Sequence, residues 1–217
     1  MNIENVIKQL CKEDIQKKNA NDIRNIGKPY FRMIKNESLD TIMQYCEMLL
    51  STKDPALKIL AFDWAYCARD KYQISIFEVF EKWLIEYVCD WIACDDFCTH
   101  AFGELLYQYP ELYDRITNWI SNEMFWVRRA ASVIQIYSVK KNTCNQSRVF
   151  WIVKSLLGDH NELVLKGCGW LLKEYSIHNP KAVEMFLRNN VKTIPRITFR
   201  YALKKMDPIT RQSLMKL

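Results

Sequence analysis

The feature that most constrains this chain is a nearly unbroken succession of amphipathic segments with helical spacing, separated by very short breaks. Apolar positions recur at three and four, as in Ile42, Tyr45, Cys46 and Leu49, and again in Leu57, Leu60, Ala61, Trp64 and Ala65. Segments of this kind cover 2–18, 37–51, 54–70, 74–88, 90–109, 110–121, 124–139, 146–157, 160–177, 180–190 and 196–205, with a frayed tail expected after Pro208. The only period-2 stretch, Ile74-Ser75-Ile76, is too short for a strand. Five glycines and six prolines in 217 residues are too few for an all-β fold, which needs a turn signal about every 8–12 residues.

Several helix starts are explicit. Asp54-Pro55 and Asn179-Pro180 each put a capping side chain before a proline at the first helical position. Pro110 opens a helix after Tyr109, and Gly158 ends one before Asp159, which is expected to cap the next. Helices joined by such short turns predict antiparallel pairs stacked in sequence order. The expected fold is all-α, a HEAT-like repeat α-solenoid with a concave basic face. A globular bundle is the competing architecture; it is disfavoured because no segment reads as hydrophobic all round. Without a Pro/Gly/Ser linker, residues 1–217 are expected to form one domain.

Charge is unevenly placed. Residues 1–123 carry 14 Lys+Arg against 20 Asp+Glu, and residues 124–217 carry 17 against 5, so a net of −6 is followed by a net of +12. Either the second half meets a polyanion or it is a solvated basic surface. Met1 to Asn19 has no apolar core of signal-peptide type, and no run approaches the roughly 18 uncharged apolar residues of a membrane span. A soluble, cytoplasmic protein without membrane contact is expected. The eight cysteines, among them Cys46, Cys67, Cys94 and Cys168 within apolar helical patterns, read as small hydrophobes in a reducing compartment.

Three clusters could carry chemistry. In Cys89-Asp90-Trp91-Ile92-Ala93-Cys94-Asp95-Asp96-Phe97-Cys98, Trp91 and Asp95 share one helical face, about 6 Å apart at their attachment points. The plain alternative is an inward tryptophan with Asp95 capping or salt-bridged. Zinc ligation by Cys89, Cys94, Cys98 and His100 fits no standard spacing, so no metal is expected. In Asn122-Glu123-Met124-Phe125-Trp126-Val127-Arg128-Arg129-Ala130-Ala131, two arginines sit near a helix N-terminus, against the helix dipole. They hold either a phosphate or an acidic neighbour on the previous helix. In Leu165-Lys166-Gly167-Cys168-Gly169-Trp170-Leu171-Leu172-Lys173-Glu174-Tyr175, two glycines inside a helix suggest close approach by another backbone. Trp170 and Lys173 there share a face.

Taken together, these clusters resemble the DNA alkylation repair enzymes of the AlkD type, which are HEAT-like-repeat glycosylases. The matching elements are Trp91-Ile92-Ala93-Cys94-Asp95, Trp126-Val127-Arg128-Arg129-Ala130-Ala131-Ser132 and Gly169-Trp170-Leu171-Leu172-Lys173-Glu174-Tyr175, followed by Phe199-Arg200-Tyr201-Ala202-Leu203-Lys204. The resemblance covers roughly residues 54–205. Ile92 replaces an acidic position of the family pattern, Lys173 an arginine and Tyr137 a basic residue; the N-terminal region is shorter than in typical members.

The resemblance implies a monomeric, monofunctional enzyme without cofactor that releases positively charged N3- or N7-alkylated purines from duplex DNA. Asp95 would stabilise the oxocarbenium-like sugar and position water, with Trp91 and Trp170 offering π faces to the cationic nucleotide. Arg128, Arg129, Lys140, Lys141, Lys166, Lys173, Arg200 and Lys204 would contact the DNA backbone. Two other functions are compatible with the residues: a paralogue that binds damaged or branched DNA without cleaving it, and a helical scaffold for an acidic protein.

Overall fold

A computed structural model describes residues 3–12 and 15–217, and among them every regular element is helical. The chain runs through α1 (Ile3–Lys12), α2 (Ala20–Ile34), α3 (Leu39–Ser51), α4 (Pro55–Cys67), α5 (Ile76–Glu86), α6 (Trp91–Thr99), α7 (Ala101–Gln108) and α8 (Tyr113–Ile116). It continues through α9 (Phe125–Val133), α10 (Ile136–Lys140), α11 (Gln146–Leu156), α12 (Glu162–His178), α13 (Pro180–Asn189), α14 (Arg196–Ala202) and α15 (Pro208–Met215).

The helices stack in chain order. An inner row forms where α2 packs on α4, α4 on α6, α6 on α9, α9 on α12 and α12 on α14; α3, α11 and α13 cover this row from outside. Hydrogen bonds between successive layers recur at nearly constant sequence separation. Tyr109 donates to the Tyr72 carbonyl across 37 residues, Trp119 to Glu81 across 38, Arg129 to Asp95 across 34 and Thr198 to the Leu165 carbonyl across 33. Such spacing accords with solenoid-like stacking of successive helix pairs.

Caps explain most helix starts. Asp54 accepts from Ala56 and Leu57 N–H ahead of Pro55, as expected. Asn179 makes no side-chain cap bond, because its own backbone bends at φ −131°, ψ 58°. The cap of α12 is Asn161 rather than Asp159; Asp159 accepts instead from Arg128 and from the Asn161 N–H.

Other differences from the sequence expectation have local causes. Helix α2 was not anticipated, because Gly27 and Pro29 lie inside it; both weaken a helix taken alone, and packing on α4 overrides them. The segment 90–109 breaks at His100, whose φ −126°, ψ −97° is not helical. The segment 124–139 divides into α9 and α10, and 110–121 is mostly 3₁₀ turns around the short α8. The tail is helical, capped by Asp207 and anchored by buried Leu214. The expected helix 2–18 comprises α1 and a 3₁₀ turn at Ile15–Lys17; positions 13 and 14 lie outside the described residues.

Inner helices are buried on more than one face. Ala56, Leu57, Leu60, Ala61, Phe62, Trp64 and Ala65 of α4 are all buried, because an inner helix touches its outer cover and both neighbours in the row. Cys46, Cys94 and Cys168 are buried free thiols, whereas Cys67 is only partly covered. No helix among the described residues is long and apolar enough to cross a membrane.

The glycines of α12 mark the tightest packing in the row. A Cβ on Gly169 would lie 2.5 Å from the Tyr201 Cβ and 2.8 Å from the Thr198 carbonyl oxygen of α14. Gly169→Ala is therefore expected to destabilise the fold by about 1–3 kcal/mol, as overpacking does. A denaturant midpoint unchanged from the parent would show that α14 moves aside freely.

Candidate active site

Four inner helices, α6, α9, α12 and α14, surround a cleft of about 350 Å³. Its walls are Trp91 and Asp95 of α6, Arg129 of α9, Leu163, Lys166, Trp170 and Lys173 of α12, and Tyr201 of α14. The structure thus brings Asp95, Trp91, Trp170, Arg129, Lys166 and Lys173 to one place from three separate clusters.

Asp90 caps α6 by accepting from the Ala93 N–H at 2.8 Å, which fixes the first turn. Trp91 opens that turn with 44 % of its surface exposed, and Asp95 lies one turn on. The Asp95 carboxylate accepts twice from Arg129, from Nε at 2.7 Å and from Nη2 at 2.8 Å. Arg129 is 4 % exposed. Its remaining Nη1 donates to the Leu163 carbonyl of α12, and its guanidinium lies 5.9 Å from the centre of the Trp91 ring. Gly167 makes room for this side chain, since a Cβ there would lie 3.3 Å from Arg129 Cγ and Nη1. Burial raises the pKa of the Asp95 carboxyl, and the Arg129 hydrogen bonds and charge offset only part of that rise.

The opposite wall is a second ion pair. Glu174 accepts from the Trp170 indole Nε1 at 2.9 Å and from Lys173 Nζ at 2.8 Å, and Lys173 Nζ lies 5.6 Å from the Trp170 ring centre. Burial acts to raise the Glu174 carboxyl, but its bonds to Lys173 and Trp170 leave it lowered overall. Lys204 covers the Tyr201 ring at 3.7 Å.

Among the eight basic residues expected to contact backbone phosphates, Arg129 and Arg128 are engaged within the protein. Arg129 spends its donors on Asp95 and the Leu163 carbonyl; it is buried and positions the carboxylate. Arg128 pairs with Asp159 at 2.6 Å and donates to the Asn122 and Glu123 carbonyls at 2.8 and 2.9 Å, so it braces the turn before α9. Arg129 takes an acidic partner from a preceding helix, the pairing that sequence left open, whereas the partner of Arg128 lies on the later turn before α12. Lys166 pairs with Glu162 at 3.3 Å on the cleft rim, and Lys173 with Glu174. Lys140 and Lys141 are exposed at the end of α10, outside the cleft lining, with Lys141 5.6 Å from the Tyr137 ring centre. Arg200 on α14 and Lys204 in the 3₁₀ turn that follows it are exposed, and with Arg196, Ile197 and Tyr201 they line a groove of about 440 Å³ beside the cleft.

Tyr137 itself points inward. It donates to Glu104 and meets the Tyr66 hydroxyl at 3.2 Å. Cys94 and Cys98 are buried in contact with each other, while Cys89 is exposed and bonds instead with Lys58 and Asp90. Among the described residues no three His, Cys, Asp or Glu side chains are grouped to hold a metal.

Two lining residues were not singled out from sequence, Tyr201 and Leu163, nor was Glu174, which bonds Trp170 and Lys173. Tyr201 lay within the Phe199–Lys204 element without a role of its own, and Gly169 signalled a close neighbour without saying which.

A family model described as DNA alkylation repair enzyme matches residues 18–206. This chain belongs to the DNA alkylation repair enzyme family. No curated protein matches it. Two solved structures share the fold of this DNA alkylation repair family member. One is described as a predicted DNA alkylation repair enzyme from Enterococcus faecalis, with 18 % identity, a TM-score of 0.78 and coverage of 95 % of this chain and 97 % of that one. The other is a protein of Streptococcus mutans UA159, with 16 % identity, a TM-score of 0.61 and coverage of 87 % and 99 %.

Proposed function

We propose that this member of the family is a monofunctional DNA glycosylase that hydrolyses the N-glycosidic bond of positively charged N3- or N7-alkylated purines in duplex DNA. The observation that carries the reading is a largely covered carboxylate, Asp95, its side chain 15 % exposed, that lines one cleft together with Trp91, Trp170 and Tyr201. Alkylation at N3 or N7 makes the purine a cationic leaving group, so the base departs neutral without needing a strong general acid. The sugar left behind carries oxocarbenium character, and a fixed carboxylate stabilises it more than the neutral ground state. Arg129 preorganises that carboxylate; Trp91 and Trp170 present π faces to the cationic nucleotide, each contact contributing about 0.5–2 kcal/mol. The attacking water is oriented by Asp95, which accepts its proton as the bond to the sugar forms.

Release of 7-methylguanine or 3-methyladenine from methylated duplex DNA tests the reading. The alternative, a protein that binds damaged DNA without cleaving it, is favoured by one feature: both Asp95 oxygens already accept from Arg129. Duplex binding with no base release in any condition would establish that alternative.

Two further outcomes follow. Asp95 acts as a carboxylate, and its pKa is raised, so base release should climb with pH through a value above the ordinary 3.8. The linked stability effect runs the other way: a raised folded-state pKa contributes stability below the unfolded value, and that contribution is lost as pH rises through the folded one. A pH–rate profile with no acid limb above 3.8 contradicts the assignment.

The exposure of Arg200 and Lys204 beside the cleft, without acidic partners among the described residues, supports a role for both as phosphate contacts. Replacing both by Ala is expected to flatten the log–log salt dependence of duplex affinity by about 2. An unchanged slope removes α14 and the turn after it from the interface.

A further inference from the structure

The two lysines that line the cleft are held differently. Lys166 meets Glu162 at 3.3 Å, and the Glu162 side chain is 73 % exposed. An exposed pair of this kind contributes little and opens readily, so the Lys166 charge is open to an incoming anion. Lys173 meets Glu174 at 2.8 Å with both side chains covered, 19 % and 13 % exposed. Its charge is cancelled at close range, in a setting that salt and water screen less.

Glu174 also holds a ring. The oxygen that meets Lys173 Nζ, Oε1, accepts from the Trp170 indole N–H at 2.9 Å. Trp170 and Glu174 are one turn apart on α12, so this bond runs along the helix surface. Trp170 is only partly buried; packing alone leaves its ring room to turn toward the cleft, and the N–H bond removes that freedom. Lys173 Nζ then lies 5.6 Å from the ring centre. Trp170 and Lys173 both line the cleft, whereas Glu174 stands behind them and does not. One carboxylate oxygen thus sets an indole and an ammonium together.

We infer that Glu174 is a positioning residue of this cleft, acting through Trp170 by fixing the indole and through Lys173 by withholding its charge from nucleic acid. The part played through Trp170 rests on the glycosylase reading. The part played through Lys173 requires only that duplex DNA meets this face. A lysine left free in the cleft grips any phosphate, beside a lesion or not, because phosphate contacts carry no information about the base. With Lys173 restrained, undamaged duplex is held less tightly and discrimination falls to the aromatic walls.

Two substitutions separate these effects. Glu174→Gln keeps an oxygen for the Trp170 N–H and drops the charge; Glu174→Ala drops both. On unmodified duplex, where the proposed reaction has no substrate, both variants should bind more tightly than the parent at low salt. Their log–log salt slopes should be steeper by about 1, for one freed ammonium. On methylated duplex at saturating protein, single-turnover base release should stay within about threefold of the parent in Glu174→Gln. It should fall about tenfold in Glu174→Ala, the scale of one cation–π contact. A pair that merely stabilises α12 would lower the melting temperature of both variants and leave the salt slopes at the parental value. Parental slopes, or equal release rates in the two variants, overturn the inference. If the parent itself releases no base, the glycosylase reading falls and the salt slopes alone decide for or against Glu174.

Discussion

Asp95→Asn should lower the rate of 7-methylguanine release by about 10²–10⁴-fold while duplex affinity stays within a few-fold of the parent. The substitution is nearly isosteric, so the cleft keeps its shape and its indole walls. What it removes is the negative charge that develops its full value only as the sugar becomes cationic. It also places an amide NH₂ where Arg129 now finds a second acceptor at 2.8 Å, so one guanidinium donor turns away and the side chain is no longer held in a single orientation. Measuring single-turnover release and equilibrium binding side by side separates the two effects. A variant that releases base at the parental rate would remove Asp95 from the chemistry, and equal loss of binding and rate would make it a structural residue.

Arg129→Leu should destabilise the fold by about 3–5 kcal/mol, the usual cost of stranding one member of a buried pair. For a chain of this length that corresponds to a fall in melting temperature on the order of 10 °C. Arg129 joins three layers, taking Asp95 of α6, its own α9 and the Leu163 carbonyl of α12, and Gly167 exists in part to admit it. Removing it leaves Asp95 with no counter-charge in a setting that already disfavours ionisation. The loss should therefore shrink as pH falls and the carboxyl takes up a proton. The double variant Asp95→Leu/Arg129→Leu should recover a part of the loss, because neither charge is then left alone. Additive effects of the two single substitutions would mean that the pair is not coupled.

How much of this was legible beforehand differs from residue to residue. Asp54-Pro55 could be read as a helix start because cap and proline act within one turn. Trp91 and Asp95 could be placed on one face for the same reason: four residues of helix fix their geometry. Helix α2 was hidden because its Gly27 and Pro29 argue locally against the helix that α4 supports. Arg128 and Arg129, adjacent and chemically alike, could not be told apart. One turns to Asp159 of the following loop and the other to Asp95 of the preceding helix, and both choices depend on partners more than thirty residues away.

The sequence alone determined the helical class, the stacking of short-linked helices, and the three clusters from which the cleft is made, since each is encoded within a few turns of chain. Only the tertiary structure decided which basic side chains pair within the protein, that Tyr201 completes the wall while Glu174 holds Trp170 and Lys173, and that a second cleft, between α2 and α4, flanks α6. Those outcomes depend on which charge meets which across the stacked layers. Electrostatic pairing and close packing act through space, whereas a sequence orders residues only along the chain.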